Sequence, residues 1–153
     1  MTPYLDTNFL LRVYLPYEDS PRALTQLGSL PRRARLCPLT WLHHIEFANA
    51  IQLVVFQSRA GTKPRITPET AAVALHDFES DVQPGAIFTT GPLATEELER
   101  LTRRLSDRHT ARLGCRTYDI LHVASALLLK CDSFWSFDTK ASALAKAEGL
   151  AVF

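Results

Sequence analysis

The sequence predicts an α/β fold in which a parallel sheet of about five short strands lies between layers of helices. Short apolar segments alternate with longer helical patterns along the chain, and capping residues, prolines and glycines separate them. The connections are long enough for right-handed βαβ crossovers. With 153 residues, 46% of them apolar, the chain can bury the core of one domain, residues 1–153.

Capping and breaking residues delimit the elements of the first half. In chain order we predict a strand at PYLD, a helix from Thr7 to Tyr14, a helix from Ser20 toward Leu30, a strand at ARLCPL, and helices at WLHHIEFANAIQLVVFQSRA and TPETAAVALHDFES. Pro16 and Gly61 end helices, whereas Thr40 and Thr67 are good N-caps. Pro68 suits the first helical position.

The second half repeats the alternation with a longer helical section. We predict a strand within QPGAIFTTGP, a charged helix from Thr95 to about Leu113, an apolar helix RTYDILHVASALLLK, a strand at CDSFWSF, a helix KASALAKAE and a last strand at LAVF. Gly114 and Gly149 are placed where helices end. The two consecutive helices before the fourth strand exceed what a simple crossover requires.

Charge is unevenly distributed although the net charge is only +1. Between residues 30 and 65 the single acid is Glu46, and the cations are Arg32, Arg33, Arg35, Arg59, Lys63 and Arg65. These six are candidate contacts for phosphate. A solvated basic face is the alternative.

Cysteine usage and apolar run lengths predict the compartment. The three cysteines are an odd number without CxxC spacing, which argues against a disulfide framework or a zinc knuckle. No basic leader precedes the first apolar run, and no run reaches the roughly 20 residues of a membrane span. We therefore expect a soluble, cytoplasmic protein.

Three aspartates lie at strand ends or helix starts. Asp6 and Asp138 each follow a predicted strand and precede a helix, and Asp119 lies in the first turn of a helix. Helix capping or a favourable helix dipole explains each of them alone. The carboxyl ends of parallel strands, however, are also where such sheets bind ligands.

Glu46 differs because it lies inside a helix rather than at its end. Leu42 and Ala50 share its helical row, and a charge on an apolar face is costly unless it is paired or bound to metal. No lysine or arginine occurs three or four residues away. Four acids held together would repel one another, and Mg²⁺ or Mn²⁺ with oxygen ligands would remove that cost. Such an ion promotes phosphodiester hydrolysis.

Four segments in this order resemble the PIN-domain nucleases, and in particular the VapC-type toxins of prokaryotic toxin–antitoxin pairs: YLDTNFLL, IEFANAI, RTYDILHVASALLL and SFWSFDTKASALAKAEGLAVF. The resemblance implies a three-layer α/β/α PIN-like fold with strand order 3-2-1-4-5. It also implies that the catalytic residues, binding one or two Mg²⁺ or Mn²⁺ ions, are Asp6, Glu46, Asp119 and Asp138. The positions that would support this site by hydrogen bonding are Asn8, Ser136 and, less closely matched, Thr7 and Thr139.

The implied activity is endoribonuclease cleavage of structured RNA, such as tRNA or rRNA, by metal-activated water. The implied partners are the RNA substrate, a cognate antitoxin and a second copy of the chain. Residues 59–95 match no motif and leave substrate choice open. A non-catalytic RNA- or protein-binding module on the same fold is the alternative from another class.

Other chemistries fit the sequence less well. His43 with Glu46 and Asp119 with His122 have the i, i+3 spacing of a carboxylate–histidine di-metal bundle, but interleaved strands argue against a bundle. We expect His122 to be a core histidine or one that supports the site. We expect His44, His76 and His109 at the surface. No phosphate-binding glycine loop occurs.

Overall fold

A computed structural model describes residues 2–31, 37–83 and 87–153. The strands are β1 (Pro3–Leu5), β2 (Cys37–Leu39), β3 (Phe88–Thr90), β4 (Ser133–Trp135) and β5 (Ala151–Val152). The helices are α1 (Thr7–Tyr14), α2 (Ser20–Gly28), α3 (Trp41–Arg59), α4 (Pro68–Asp81), α5 (Thr95–Leu113), α6 (Thr117–Leu128) and α7 (Thr139–Ala147). The α/β class is confirmed.

All strand pairs are parallel, and they form two hydrogen-bonded groups. β4 lies between β1 and β5, and β2 pairs with β3. β2 also packs beside β1, so the spatial order β3-β2-β1-β4-β5 agrees with the order that the resemblance implies. The ladder is interrupted between β1 and β2 in the part of the chain that the structure describes.

A histidine side chain occupies the seam between β1 and β2. His43, at the start of α3, is fully buried, and its Nε2 lies 2.8 Å from the Leu5 carbonyl oxygen. Its Nδ1 accepts the backbone N–H of Thr40 at 2.9 Å, so Nε2 carries the proton that is donated to Leu5. Burial holds the pKa of His43 well below its usual value, which keeps the ring neutral. The imidazole thus gives Leu5 the hydrogen bond that a neighbouring strand would have supplied.

Alternating strand residues build a core on each face of the sheet. Tyr4 and Phe134 point into a cluster with α5, α6 and α7, whereas Leu5 and Trp135 point into a cluster with α1 to α4. This is the period-2 pattern of a strand that is buried on both sides. It confirms the three-layer arrangement and explains why the strand segments read as continuous apolar runs.

The strands are shorter than the five or so residues predicted from the sequence. At the end of β4 the hydroxyl of Ser136 accepts the backbone N–H of Asp138 at 2.8 Å, which turns the chain out of the sheet. β5 has two residues, both exposed. Residues 34–36 and 84–86 of two predicted strand segments lie outside the described residues.

Our expectation of a surface position for His109 was wrong. His109 is buried on α5, and its Nε2 lies 2.6 Å from Oε1 of Glu148. It continues the buried row of α5 that includes Leu101 and Leu105. The i+4 spacing from Leu105 was the signal for burial in the sequence.

The three cysteines are free, and all are buried. Cys37 lies in the core on the α1–α4 side, and Cys115 and Cys131 lie in the other core. Burial raises the pKa of Cys37 and of Cys131 to about 12. Among the described residues, no helix has the length and apolar character to cross a membrane.

Candidate active site

Parallel strands and two helices bring four carboxylates toward one edge of the sheet. Asp6 directly follows β1 and Asp138 lies three residues after β4. Because β1 and β4 are parallel neighbours, these aspartates leave the sheet at the same edge. Asp119 comes from the first turn of α6 and Glu46 from the second turn of α3.

Asp6 is the most buried of the four, with 5% exposure. Its Oδ1 accepts the backbone N–H of Phe9 at 2.8 Å, which caps α1, and its Oδ2 accepts the hydroxyl of Ser136 at 2.5 Å. Burial raises the pKa of Asp6 to about 6, although the charge of His122 and these two hydrogen bonds oppose the rise. The charge of Glu46 adds to the rise, which places Glu46 within electrostatic reach of Asp6.

Glu46 is held from the opposite layer by a buried histidine. Its side chain is 26% exposed, and Oε2 is hydrogen-bonded to Nε2 of His122, whose own side chain is 4% exposed. Nδ1 of the same ring lies 2.8 Å from the hydroxyl of Tyr4 on β1. Burial acts to raise the pKa of Glu46, but the hydrogen bond and charge of His122 outweigh it and lower the pKa.

Asp119 and Asp138 both bind backbone amides at helix starts. Asp119 Oδ2 accepts the N–H of Arg116 at 2.7 Å, and Asp138 Oδ1 accepts the N–H groups of Lys140 and Ala141 at 2.8 and 3.0 Å. After burial, the charges of both aspartates contribute to the raised pKa of Cys115. They therefore lie near the same thiol, and Ser136 connects Asp138 to Asp6.

Comparison with known proteins identifies the family of the chain. The family model of the PIN domain matches residues 4–147, which include all four acids. The chain belongs to the PIN-domain family. No curated protein sequence matches the chain.

Two solved structures show the same PIN fold. VapC20 from Mycobacterium tuberculosis, described as a sarcin–ricin loop cleaving toxin, is 14% identical, with a TM-score of 0.66 over 93% of this chain and 94% of that chain. FitAcB from Neisseria gonorrhoeae is 16% identical, with a TM-score of 0.66 over 99% of this chain and 96% of that chain. At these identities the likeness is one of fold.

The donor set of this PIN domain suits a hard cation, but the side chains are turned to protein partners. Among the described residues, no three histidine, cysteine or acidic side chains are grouped closely enough to hold a metal ion. Asp119 and Asp138 use one carboxylate oxygen each for capping, which leaves the other oxygen of each for a ligand. Carboxylate oxygens are what Mg²⁺ and Mn²⁺ select. The chemistry of the four acids thus fits the ion, but their side chains would have to turn away from these protein partners to bind it together.

The four supporting residues predicted from the sequence occupy different environments. Ser136 bridges two acids, and Thr7 Oγ1 lies 3.4 Å from His122 Nε2 and also helps to lower the pKa of Glu46. Asn8 instead accepts Arg12 Nη1 at 2.8 Å through its side-chain oxygen, so it holds an arginine on its own helix. Thr139 is exposed at the start of α7.

Three of the six basic residues predicted to contact phosphate belong to the part of the chain that the structure describes. Arg32, Arg33 and Arg35 lie outside the described residues. Arg59, Lys63 and Arg65 are exposed, and the last two line a cleft together with Arg12 and Tyr17.

Sequence reasoning missed two contributors to this edge. Tyr4 supports Glu46 through His122, but within a short apolar strand it is indistinguishable from an ordinary core residue. Arg22 lines a cleft next to Asp138, yet it lies outside the basic stretch of residues 30–65.

Proposed function

We propose that this PIN domain is a divalent-metal-dependent endoribonuclease that acts as the toxin of a toxin–antitoxin pair. PIN domains are generally nucleases. The observation that carries the proposal is the buried Asp6, which is hydrogen-bonded to Ser136, connected through it to Asp138, and electrostatically coupled to Glu46. A carboxylate buried at the ligand-binding edge of a sheet, at a cost in stability, is typical of a functional site.

The residues that would hold the ion are Asp6, Glu46, Asp119 and Asp138. A divalent ion supplies Lewis acidity toward a phosphoryl oxygen and lowers the pKa of attacking water. The hydroxyl of Ser136 fixes Asp6 by donating to Oδ2 and holds the Asp138 backbone by accepting its N–H. His122 orients Glu46, because its Nε2–H donates to the carboxylate while Tyr4 binds Nδ1.

Structured RNA is the proposed substrate, and a cognate antitoxin is the proposed partner. VapC20, which shares the fold, is described as cleaving the sarcin–ricin loop, so tRNA and rRNA hairpins are the first substrates to test. The exposed apolar residues Trp41, Ile45, Leu53 and Phe56 of α3 fall within about 120° of one another around the helix. A row of this kind supports a protein partner, either the antitoxin or a second copy of the chain.

Cleavage assays with matched variants test the enzymatic proposal. Purified protein would be incubated with total tRNA and with an rRNA fragment containing the sarcin–ricin loop, in Mn²⁺, in Mg²⁺ and in EDTA. We expect site-specific cleavage with either metal and none in EDTA. Asp119→Asn should lose at least about 100-fold in rate, since a metal ligand contributes several kcal/mol to transition-state stabilisation.

The control is Asp107→Asn, which removes an exposed aspartate on α5 and should retain the wild-type rate. A wild-type protein that cleaves no RNA in Mn²⁺ would contradict the nuclease proposal and favour the binding-module alternative. Co-expression with the product of a small neighbouring reading frame should restore growth if induction of the chain alone arrests it. Light scattering of the purified protein would test for the homodimer.

A further inference from the structure

A cleft of about 350 Å³ adjoins the acidic edge of the domain. Its walls include two residues of the candidate site, two cations and two aromatic rings, namely Ser136, Asp138, Arg22, Lys146, Phe137 and Phe153. This volume is at the lower limit of ligand pockets and suits one nucleotide better than a duplex. A strand that reached Asp138 would pass beside these cations.

Arg22 is held in this cleft by aromatic rings. Its guanidinium carbon lies 4.2 Å from the ring centroid of Phe153 and 5.5 Å from that of Phe137. Stacking occupies the face of a guanidinium and leaves its in-plane N–H donors for a planar or tetrahedral anion. In residues 2–31, 37–83 and 87–153, Arg22 forms no ion pair.

The neighbouring Arg12 is an arginine whose charge and hydrogen-bond donors are paired within the protein. Arg12 also stacks on Phe137, at 4.6 Å, but its Nε donates to Asp19 at 2.8 Å and its Nη1 donates to Asn8 at 2.8 Å. Its charge and donors are therefore used within the fold. Within the part of the chain that the structure describes, Arg22 has similar aromatic support but no acidic partner, which marks it as a residue prepared for an external anion.

We propose that this cleft binds the RNA backbone beside the cleaved bond, with Arg22 and Lys146 contacting phosphate. The inference rests on the proposed function, because it takes RNA as the ligand. It assigns the positioning of the RNA strand to Arg22 and Lys146, which lie outside the basic stretch of residues 30–65. Lys146, in the last turn of α7, adds a second positive charge to the lining of the same cleft.

Binding assays on non-cleaving protein test the subsite separately from catalysis. Fluorescence anisotropy with a labelled tRNA would be measured in Mg²⁺ over a series of NaCl concentrations, in the Asp119→Asn background. Arg22→Ala should weaken binding about 10-fold and reduce the slope of log K against log salt by about 1. Lys146→Ala should weaken binding about 3- to 10-fold with a similar change in slope.

Two further variants show whether the charge of Arg22 or the planar shape of its guanidinium contributes to RNA binding, and whether loss of any surface arginine has the same effect. Arg22→Lys should keep the salt slope and lose part of the affinity, since lysine keeps the charge but lacks the planar fork. Arg103→Ala removes an exposed arginine that pairs only weakly with Glu99, at 3.6 Å on α5, and should stay within about twofold of the parent. Thermal melts of each variant would show whether the fold is retained, and Arg22→Lys remains informative if Arg22→Ala unfolds.

The outcomes distinguish this proposal from the nuclease proposal. If the wild type never cleaves RNA but Arg22→Ala still weakens RNA binding, the subsite stands and the catalytic proposal fails. If the wild type cleaves and both cleft variants bind tRNA as Arg103→Ala does, the subsite is refuted alone. Unchanged RNA affinity together with lost binding of a co-expressed partner protein would also refute it and assign the cleft to that protein.

Discussion

Replacing Asp6 by asparagine should stabilise the metal-free protein at neutral and alkaline pH. Burial raises the pKa of Asp6 from 3.8 to about 6. A carboxyl whose pKa is higher in the folded state destabilises the fold when it is ionised, here by about 3 kcal/mol above pH 6. The penalty disappears below the unfolded-state value, so it develops between about pH 4 and pH 6 as the pH rises.

Asparagine can keep the local hydrogen bonds that Asp6 makes. Its side-chain oxygen can accept the N–H of Phe9, because asparagine caps a helix about as well as aspartate. Its amide N–H can donate to Ser136, whose oxygen has two acceptor lone pairs and uses one for Asp138. We therefore expect Asp6→Asn to raise the free energy of unfolding by about 1–3 kcal/mol at pH 8 and to leave it unchanged near pH 4.

Urea denaturation followed by circular dichroism in EDTA, from pH 4 to pH 8, measures this difference directly. Titrating groups that are not coupled to Asp6 occur in both proteins, so their effects cancel in the comparison. Asp138→Asn is the matched control, because it removes a half-exposed helix-capping acid and should destabilise slightly, by about 0.5 kcal/mol at pH 8. An Asp6→Asn variant less stable than the wild type at pH 8, or a difference independent of pH, would refute the reasoning.

Three further substitutions and one control test a buried hydrogen bond, a buried carboxylate and a backbone conformation by the same urea titrations. Tyr4→Phe removes the hydroxyl that binds His122 inside the core and should cost about 1–2 kcal/mol; an unchanged midpoint would contradict this. Burial acts to raise the pKa of Glu148, but hydrogen bonds from α5 outweigh it and lower the pKa below 4.5. Glu148→Gln should therefore lose about 1–2 kcal/mol at pH 7 and little at pH 3, where the wild type has lost the same contribution. Gly114→Ala places a side chain at φ +64° and should cost about 1 kcal/mol, whereas Gly28→Ala, in open space, should cost less.

The element order was predictable because capping residues occur at regular places. α1 and α5 have the bounds predicted from the sequence, since Pro16 follows the first and Gly114 ends the second. Strand lengths were overestimated because an apolar run shows burial and not pairing. The interruption of the ladder between β1 and β2 was not predicted either. It depends on a hydrogen bond between His43 and Leu5, which are 38 residues apart in the sequence.

The acids of the candidate site could be proposed from sequence, but their immediate partners could not. Glu46 lacks a cation within its own helix, which indicated an unusual position. Its actual partner, His122, is 76 residues away, and no local spacing predicts such a contact. Asn8 shows the opposite case, because an arginine four residues later on the same helix was the more direct partner by i, i+4 geometry.

The distribution of thiols gives the molecule its own reporters of partial unfolding. One sulfur lies in the core below α1–α4 and two lie in the core below α5–α7. Alkylating reagents attack thiolates, so modification of each native cysteine requires that its side of the sheet first opens. Timed alkylation followed by peptide mass spectrometry would therefore show whether the two helical layers detach together or one after the other.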